Sequence, residues 1–348
     1  MFTFQKILLQ ETTVKQKTDK FYESAGEKSM KFKKIIIVAT SCIGLMCSSG
    51  FGKKKQKDSV EKEIIYNKSA KKHKITSNSK NTQKESTITV WIHGTRLFPD
   101  FTFRNFFYTP PNFTHIDNID QKYHIRKIAN RLIKHDPDRF SKEHFYIFGW
   151  SGKACFTARK EAAKTLYDHL EKLAYEHIKQ YNHKPLIRVI THSHGGNVAL
   201  NLPAVKKSDP PFTIKELVLL ACPVQEATKK YISDPLFERC YSLSSRADFL
   251  QVIDPQGLYK DQGGLINNPL FSQRIFPADH KLTQARIKIN GRYILHVEFL
   301  LRRFINNLPC ILDKLDKHYE QSHQDEPTNL TETILVLNLR KQKTAQTG

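Results

Sequence analysis

A run of β-branched and apolar residues, Leu186 to Ile190, stops abruptly at Thr191-His192-Ser193-His194-Gly195-Gly196, and a short helical segment follows. The pattern spells a strand, a sharp turn and a helix, with a serine hydroxyl pushed out at the end of a sheet. Such a turn is strained and crowded, so the positions two before and two or three after the serine must be small. Thr191, Gly195 and Gly196 meet that demand. Thr191 stands where a glycine is usual, so the motif takes the form small-x-Ser-x-Gly.

Three other landmarks lie in order around this turn. Upstream, Thr87 to Ile92 is a strand that runs into His93-Gly94-Thr95. Downstream, Cys240 to Ser245 is a strand-like run that ends at Arg246-Ala247-Asp248. Further on, Ala285 to Asn290 alternates with period two, stops at Gly291, and is followed by Tyr293-Ile294-Leu295-His296 and a helix. With these four landmarks in this order the chain resembles the α/β-hydrolase family, and more narrowly its lipase and esterase members, over about residues 86 to 317.

The resemblance implies an α/β-hydrolase fold, a mostly parallel sheet with helices on both faces. It also implies roles. A serine hydroxyl is a poor nucleophile at neutral pH and needs a base, which in turn needs an orienting acid. Ser193 is the expected nucleophile, Asp248 the acid and His296 the base. Asp254 competes with Asp248, and His280 competes with His296. The oxyanion donors would be the backbone N–H groups of His194 and Thr95. The His93 side chain reads as structural. Phe103, Phe106 and Phe107, directly after the oxyanion loop, are the expected substrate-binding residues; ordinary packing over the sheet edge is the bland alternative.

Other motifs fail on their spacing. The pair His192-x-His194 resembles the start of a dinuclear zinc site, but the next ligands would fall on Gly196 and Asn197, which leaves such a site short of ligands. Gly149-Trp150-Ser151-Gly152-Lys153 lacks the first glycine and the final Ser/Thr of a phosphate loop. No metal or cofactor is expected.

The chain has 348 residues, 39% of them hydrophobic, ample for one large core, and a formal net charge of +22. Such a charge points to a polyanion or an anionic membrane, or to a lysine-rich compositional bias. No nucleic-acid-binding signature accompanies it, so no nucleic acid is expected. Lys31, Lys33 and Lys34 precede the apolar run Ile35 to Cys47, the layout of a secretory signal, which is too short for a comfortable membrane span. That signal begins at Met30, so 1–29 reads as an upstream extension, 30–50 as the signal and 51–86 as a lysine-rich flexible linker. The hydrolase domain is expected over 87–317 and a polar tail over 318–348, with Ile334 to Leu337 as an extra strand or docking segment. Export is therefore expected: periplasmic, secreted, or membrane-associated through an uncleaved signal. Cys155, Cys222, Cys240 and Cys310 could be bridged or be buried thiols.

Between the landmarks the pattern predicts helices over Tyr123 to Lys134 and Arg159 to Tyr181, and strands over Phe145 to Trp150 and Leu217 to Ala221. An apolar helix over Val297 to Leu308 is expected to break at Pro309. The function expected is hydrolysis of a carboxylic ester, lipid or acyl ester favoured, through an acyl-enzyme on Ser193. Thioester, amide or metal-dependent hydrolysis, and a catalytically silent binding scaffold, are the alternatives. The oligomeric state is open.

Overall fold

Strands and helices alternate along most of the chain, and that alternation builds a largely parallel sheet. The computed structural model describes residues 60–67, 87–96, 104–107, 109, 111–253, 272–324 and 333–340. All belong to one compact unit, Asp58–Gly348. The strands are β1 (Val60–Asn67), β2 (Thr87–Ile92), β3 (Asn112–His115), β4 (Phe145–Gly149), β5 (Leu186–His192), β6 (Thr213–Leu220), β7 (Cys240–Ser244), β8 (Leu282–Ile289), β9 (Arg292–Tyr293) and β10 (Thr333–Arg340). Their order across the sheet is β1-β10-β8-β7-β6-β5-β2-β4-β3, with β9 paired to β8. The pairings β3–β4 and β8–β9 are antiparallel, and the others are parallel.

The helices are α1 (Arg104–Phe107), α2 (His124–His135), α3 (Phe156–Tyr181), α4 (Gly195–Leu200), α5 (Arg302–Ile305) and α6 (Leu308–Gln324). Period-two alternation sends neighbouring strand residues to opposite faces. On β2, Trp91 faces one core with Ile128 and Leu132 of α2 and Ile311 and Leu315 of α6. Ile88, Val90 and Ile92 face the other, with Ala163, Leu166 and Leu170 of α3 and Val198 of α4. Helices thus cover both faces, as the sequence pattern requires.

Three boundaries differ from the sequence reading. The segment 51–86 contains β1, an edge strand paired with β10, so it is not a linker throughout. Val60–Asn67 carries the charged triplet Glu61-Lys62-Glu63 before the short run Ile64-Ile65-Tyr66, a composition that suits an edge strand but reads as solvated chain. The segment 318–348 contains the end of α6 and all of β10, which lies between β8 and β1. Its apolar run is that of a strand with a neighbour on each side. Pro309 starts a helix instead of ending one: it occupies the second position of α6, where its missing N–H costs nothing. The preceding stretch forms a 3₁₀ turn, His296–Leu300, and the short α5. No disulfide joins any two of Cys155, Cys222, Cys240 and Cys310. The expected extension and signal, 1–50, lie outside the described residues.

The N-terminal ends of the strands carry an ion network. Arg188 on β5 pairs with Glu216 on β6 at 2.8 Å, and Arg139 reaches Asp316 of α6 at 2.7 Å. The landmark loops all leave the opposite, C-terminal ends, where open parallel sheets form their clefts.

Candidate active site

Ser193 follows the last residue of β5 with φ of +53°, in the left-handed region that a residue with a side chain rarely adopts. Holding a serine there costs about 1–3 kcal/mol, and the surroundings must over-determine it. They do so through backbone contacts. The Ser193 N–H donates to the Leu220 carbonyl at 2.8 Å, which ties the turn to β6, and the Gly196 N–H donates back to the Ser193 carbonyl at 2.9 Å. Gly195 packs against the end of β2: a methyl group there would lie 2.6 Å from the His93 carbonyl oxygen and 2.7 Å from that of Ile92. Gly94 packs against the serine itself, since a methyl group on it would lie 2.8 Å from Ser193 Cβ. The His93-Gly94-Thr95 loop therefore lies directly beside the candidate nucleophile.

That loop is held by Trp150, which follows β4. The Trp150 N–H donates to His93 Nε2 at 3.1 Å, so the His93 proton sits on Nδ1, which donates to the Gly94 carbonyl at 2.7 Å. The indole N–H of Trp150 donates to the His93 carbonyl at 2.8 Å. Burial pushes His93 down to about 4, so the ring is neutral and acts as a brace. Beyond Gly94, Thr95 is buried, and its hydroxyl has no hydrogen-bond partner among the described residues.

Asp248 and His296 come together from loops after β7 and β9. Asp248 Oδ2 accepts from His296 Nδ1 at 2.8 Å, and Asp248 Oδ1 accepts from the Gln251 N–H at 3.0 Å. With its proton on Nδ1, His296 keeps a lone pair on Nε2, the atom a general base uses. Asp248 is fully buried and His296 and Ser193 nearly so, at 4% and 7% exposed. The rival base His280 is exposed, pairs with Asp279 at 3.5 Å and precedes β8, at the far end of the sheet. The rival acid Asp254 lies outside the described residues.

His192, to which the sequence pattern assigns no role, joins the loops of Gly94, Ser193 and His296. It directly precedes Ser193, its Nε2–H donates to the His296 carbonyl at 3.2 Å, and its ring lies 4.7 Å from that of His296. Its Nδ1 abuts Gly94, 3.3 Å from where a methyl group would stand. Burial first, and repulsion from His296 second, hold His192 well below its ordinary range, so the bridge is a neutral donor. The signal in the sequence is its position: a bulky polar residue beside the serine of a tight turn must find a buried partner.

His194 takes a different direction. Its Nδ1 faces the Arg159 guanidinium and the Asn197 amide, each at 3.4 Å, and both donate. Arg159, on α3, is fully buried. The imidazoles of His192 and His194 thus serve separate partners and do not converge. Phe106 stacks on His124 at 4.1 Å, and both Phe106 and Phe107 line an apolar recess with Trp91, Gly94, His192 and Leu300. The recess holds about 10 Å³, room for one water molecule. Phe103 lies outside the described residues.

The strand order, the antiparallel edge strand β3, the elbow after β5 and the hydrogen-bonded Asp248–His296 pair after β7 and β9 define an α/β-hydrolase fold. No protein-family profile and no curated protein matches the chain. Among solved structures it is similar to phospholipase PlaB from Legionella pneumophila, determined in complex with thio-NAD, at 10% identity and a TM-score of 0.35, over 69% of this chain and 64% of that one. The chain thus spans less than two thirds of that phospholipase's length. It is also similar to carboxyl esterase 2 from the mycorrhizal fungus Tuber melanosporum, at 12% identity and a TM-score of 0.32, over 73% and 68% of the two chains. An esterase from Pyrobaculum calidifontis follows at 13% identity and a TM-score of 0.30, over 68% and 75%. The fold class rests on topology and on the elbow, not on these likenesses.

Proposed function

We propose that the protein is an exported serine hydrolase that cleaves a carboxylic ester through an acyl-enzyme on Ser193. The observation that carries the reading is a buried Asp248–His296 hydrogen bond of 2.8 Å, tied through the His192-to-His296 carbonyl bond to the elbow that holds Ser193 at positive φ. In this mechanism His296 Nε2 takes the Ser193 proton as the hydroxyl oxygen bonds to the ester carbonyl carbon. The carbonyl oxygen becomes an oxyanion, held by the backbone N–H groups of His194 and Thr95. As the tetrahedral adduct collapses, His296 returns the proton to the leaving alkoxide. Water then repeats the cycle on the acyl-enzyme and releases the acid. Asp248 keeps the His296 proton on Nδ1 and stabilises the imidazolium between the two proton transfers. The chemistry requires no cofactor.

Phe106 and Phe107 are proposed to line the acyl side of the site. An acyl or lipid ester is the favoured substrate, on the strength of those aromatics, the proposed export signal in 30–50 and the basic charge. The test is steady-state hydrolysis of p-nitrophenyl esters of rising chain length. The expected result is turnover by wild type and a loss of at least about 10³-fold in Ser193→Ala. Equal turnover by the two proteins, or none by folded wild type on any ester, would remove the proposal.

A further inference from the structure

Six large apolar side chains stand exposed among the described residues, and four of them flank the candidate acid and base. Phe249 (48% exposed) and Leu250 (43%) directly follow Asp248. Leu295 (49%) directly precedes His296, and Leu301 (38%) follows its 3₁₀ turn. The other two, Tyr175 and Tyr181, belong to α3. Single exposed apolar residues are normal on any protein surface. Four on two loops are a different matter when the 2.8 Å Asp248–His296 bond ties those loops together at the mouth of a site.

The same loops are basic. Arg246, Arg302 and Arg303 are exposed there. The acidic residues within 246–253 and 292–303 are Asp248, which is buried, and Glu298, which Arg292 pairs at 2.6 Å. Apolar side chains interleaved with arginines make a surface that can seat at the headgroup level of a bilayer, with the arginines on anionic phosphates. A second copy of the chain fits less well, because a two-fold pairing would set arginine against arginine. Among the described residues no helix is long and apolar enough to cross a membrane, so contact through this rim would be peripheral.

We propose that the rim formed by Phe249, Leu250, Leu295 and Leu301 docks on an anionic lipid surface, with Arg302 and Arg303 on the headgroups and the candidate site turned toward the bilayer. Docking stands independently of catalysis. Its consequence, that the ester comes from the lipid phase, rests on the hydrolase reading above.

The test is flotation of the full chain with vesicles of phosphatidylcholine containing about 30% phosphatidylglycerol, against phosphatidylcholine alone. Lysines elsewhere in the chain also favour anionic vesicles, so the comparison is between proteins that share them. Leu250→Ser/Leu301→Ser is expected to lower partition onto the anionic vesicles about tenfold, and to do so still in high salt, where lysine contacts are screened. Arg302→Gln/Arg303→Gln is expected to lower it about tenfold at low salt only. Circular dichroism checks that both variants keep the fold. Partition of Leu250→Ser/Leu301→Ser equal to wild type would overturn the proposal. So would a change confined to self-association, measured by sedimentation, which would assign the rim to a second copy. Ser193→Ala is expected to float as wild type does. Flotation without ester hydrolysis would leave docking standing and remove the catalytic reading; hydrolysis without flotation would do the reverse.

Discussion

The neutral His93 brace makes the fold sensitive to mild acid. In the unfolded chain a histidine titrates near 6.5, whereas His93 in the folded protein titrates at about 4. Between those values the unfolded state binds a proton that the folded state refuses. The stabilising contribution is therefore complete above about pH 6.5 and is lost as the pH falls toward about 4. One pKa unit corresponds to about 1.4 kcal/mol, so His93 alone should cost about 2 kcal/mol between pH 7.5 and pH 5, and more below. His192, also lowered by burial, adds a loss of the same sign. Urea denaturation at the two pH values measures the difference by linear extrapolation. His93→Asn removes the titrating group. That variant should be less stable at both pH values, because the Trp150–His93–Gly94 hydrogen bonds are broken, but its loss on acidification should be smaller than the wild-type loss by about 2 kcal/mol. The same acid-induced loss in both proteins would refute the assignment of a buried neutral brace.

Other consequences follow from the same geometry. Under the proposed mechanism His192→Leu should lower kcat about 100-fold with little change in KM, because the His296 backbone loses its anchor; His192→Gln, which can still donate to that carbonyl, should recover much of the loss. Gly195→Ala drives a methyl group into the backbone carbonyls of Ile92 and His93, so thermal or urea unfolding should show a destabilisation of about 3 kcal/mol, and an effect under about 0.5 kcal/mol would mean that the elbow is not packed as described. Asp248→Asn keeps the shape but turns an amide toward His296 and disfavours the Nδ1–H tautomer; under the proposed mechanism kcat for a soluble ester should fall about 10⁴-fold.

Much of this arrangement is legible in the sequence because its signals are local. The elbow needs small residues at fixed offsets from one serine, and the strands β2, β4 and β5 are largely apolar and β-branched or aromatic runs with a Gly or Ser at or within two residues of their ends. Asp248 and His296 are picked out by order alone, each following its strand as the resemblance requires. Most of what escapes depends on partners far away in the chain. β1 reads as charged solvated chain, and only its pairing with β10 makes it a strand. The four-residue β3, Asn112–His115, has no periodicity to detect and is defined by its antiparallel pairing with β4. Pro309 suggests a helix break, but proline starts a helix just as readily, and the choice lies in whether an upstream turn has already closed. The bracing by Trp150, the Gln251 N–H to Asp248 and the His192 bridge join residues 57, 3 and 104 positions apart. The long-range bridges leave no mark in sequence beyond a polar residue beside a motif. The oxyanion loop is marked by its His-Gly, but its close packing against Ser193 appears only in three dimensions.

The proposed chemistry requires Ser193 to be an activated nucleophile. Treatment with a fluorophosphonate, followed by intact mass and peptide mapping, tests it whatever ester the protein cleaves. One adduct per chain is expected, mapped to Ser193, absent from Ser193→Ala and strongly slowed in His296→Ala. An unlabelled wild-type protein of intact fold, or a label on another serine that persists in Ser193→Ala, would contradict it.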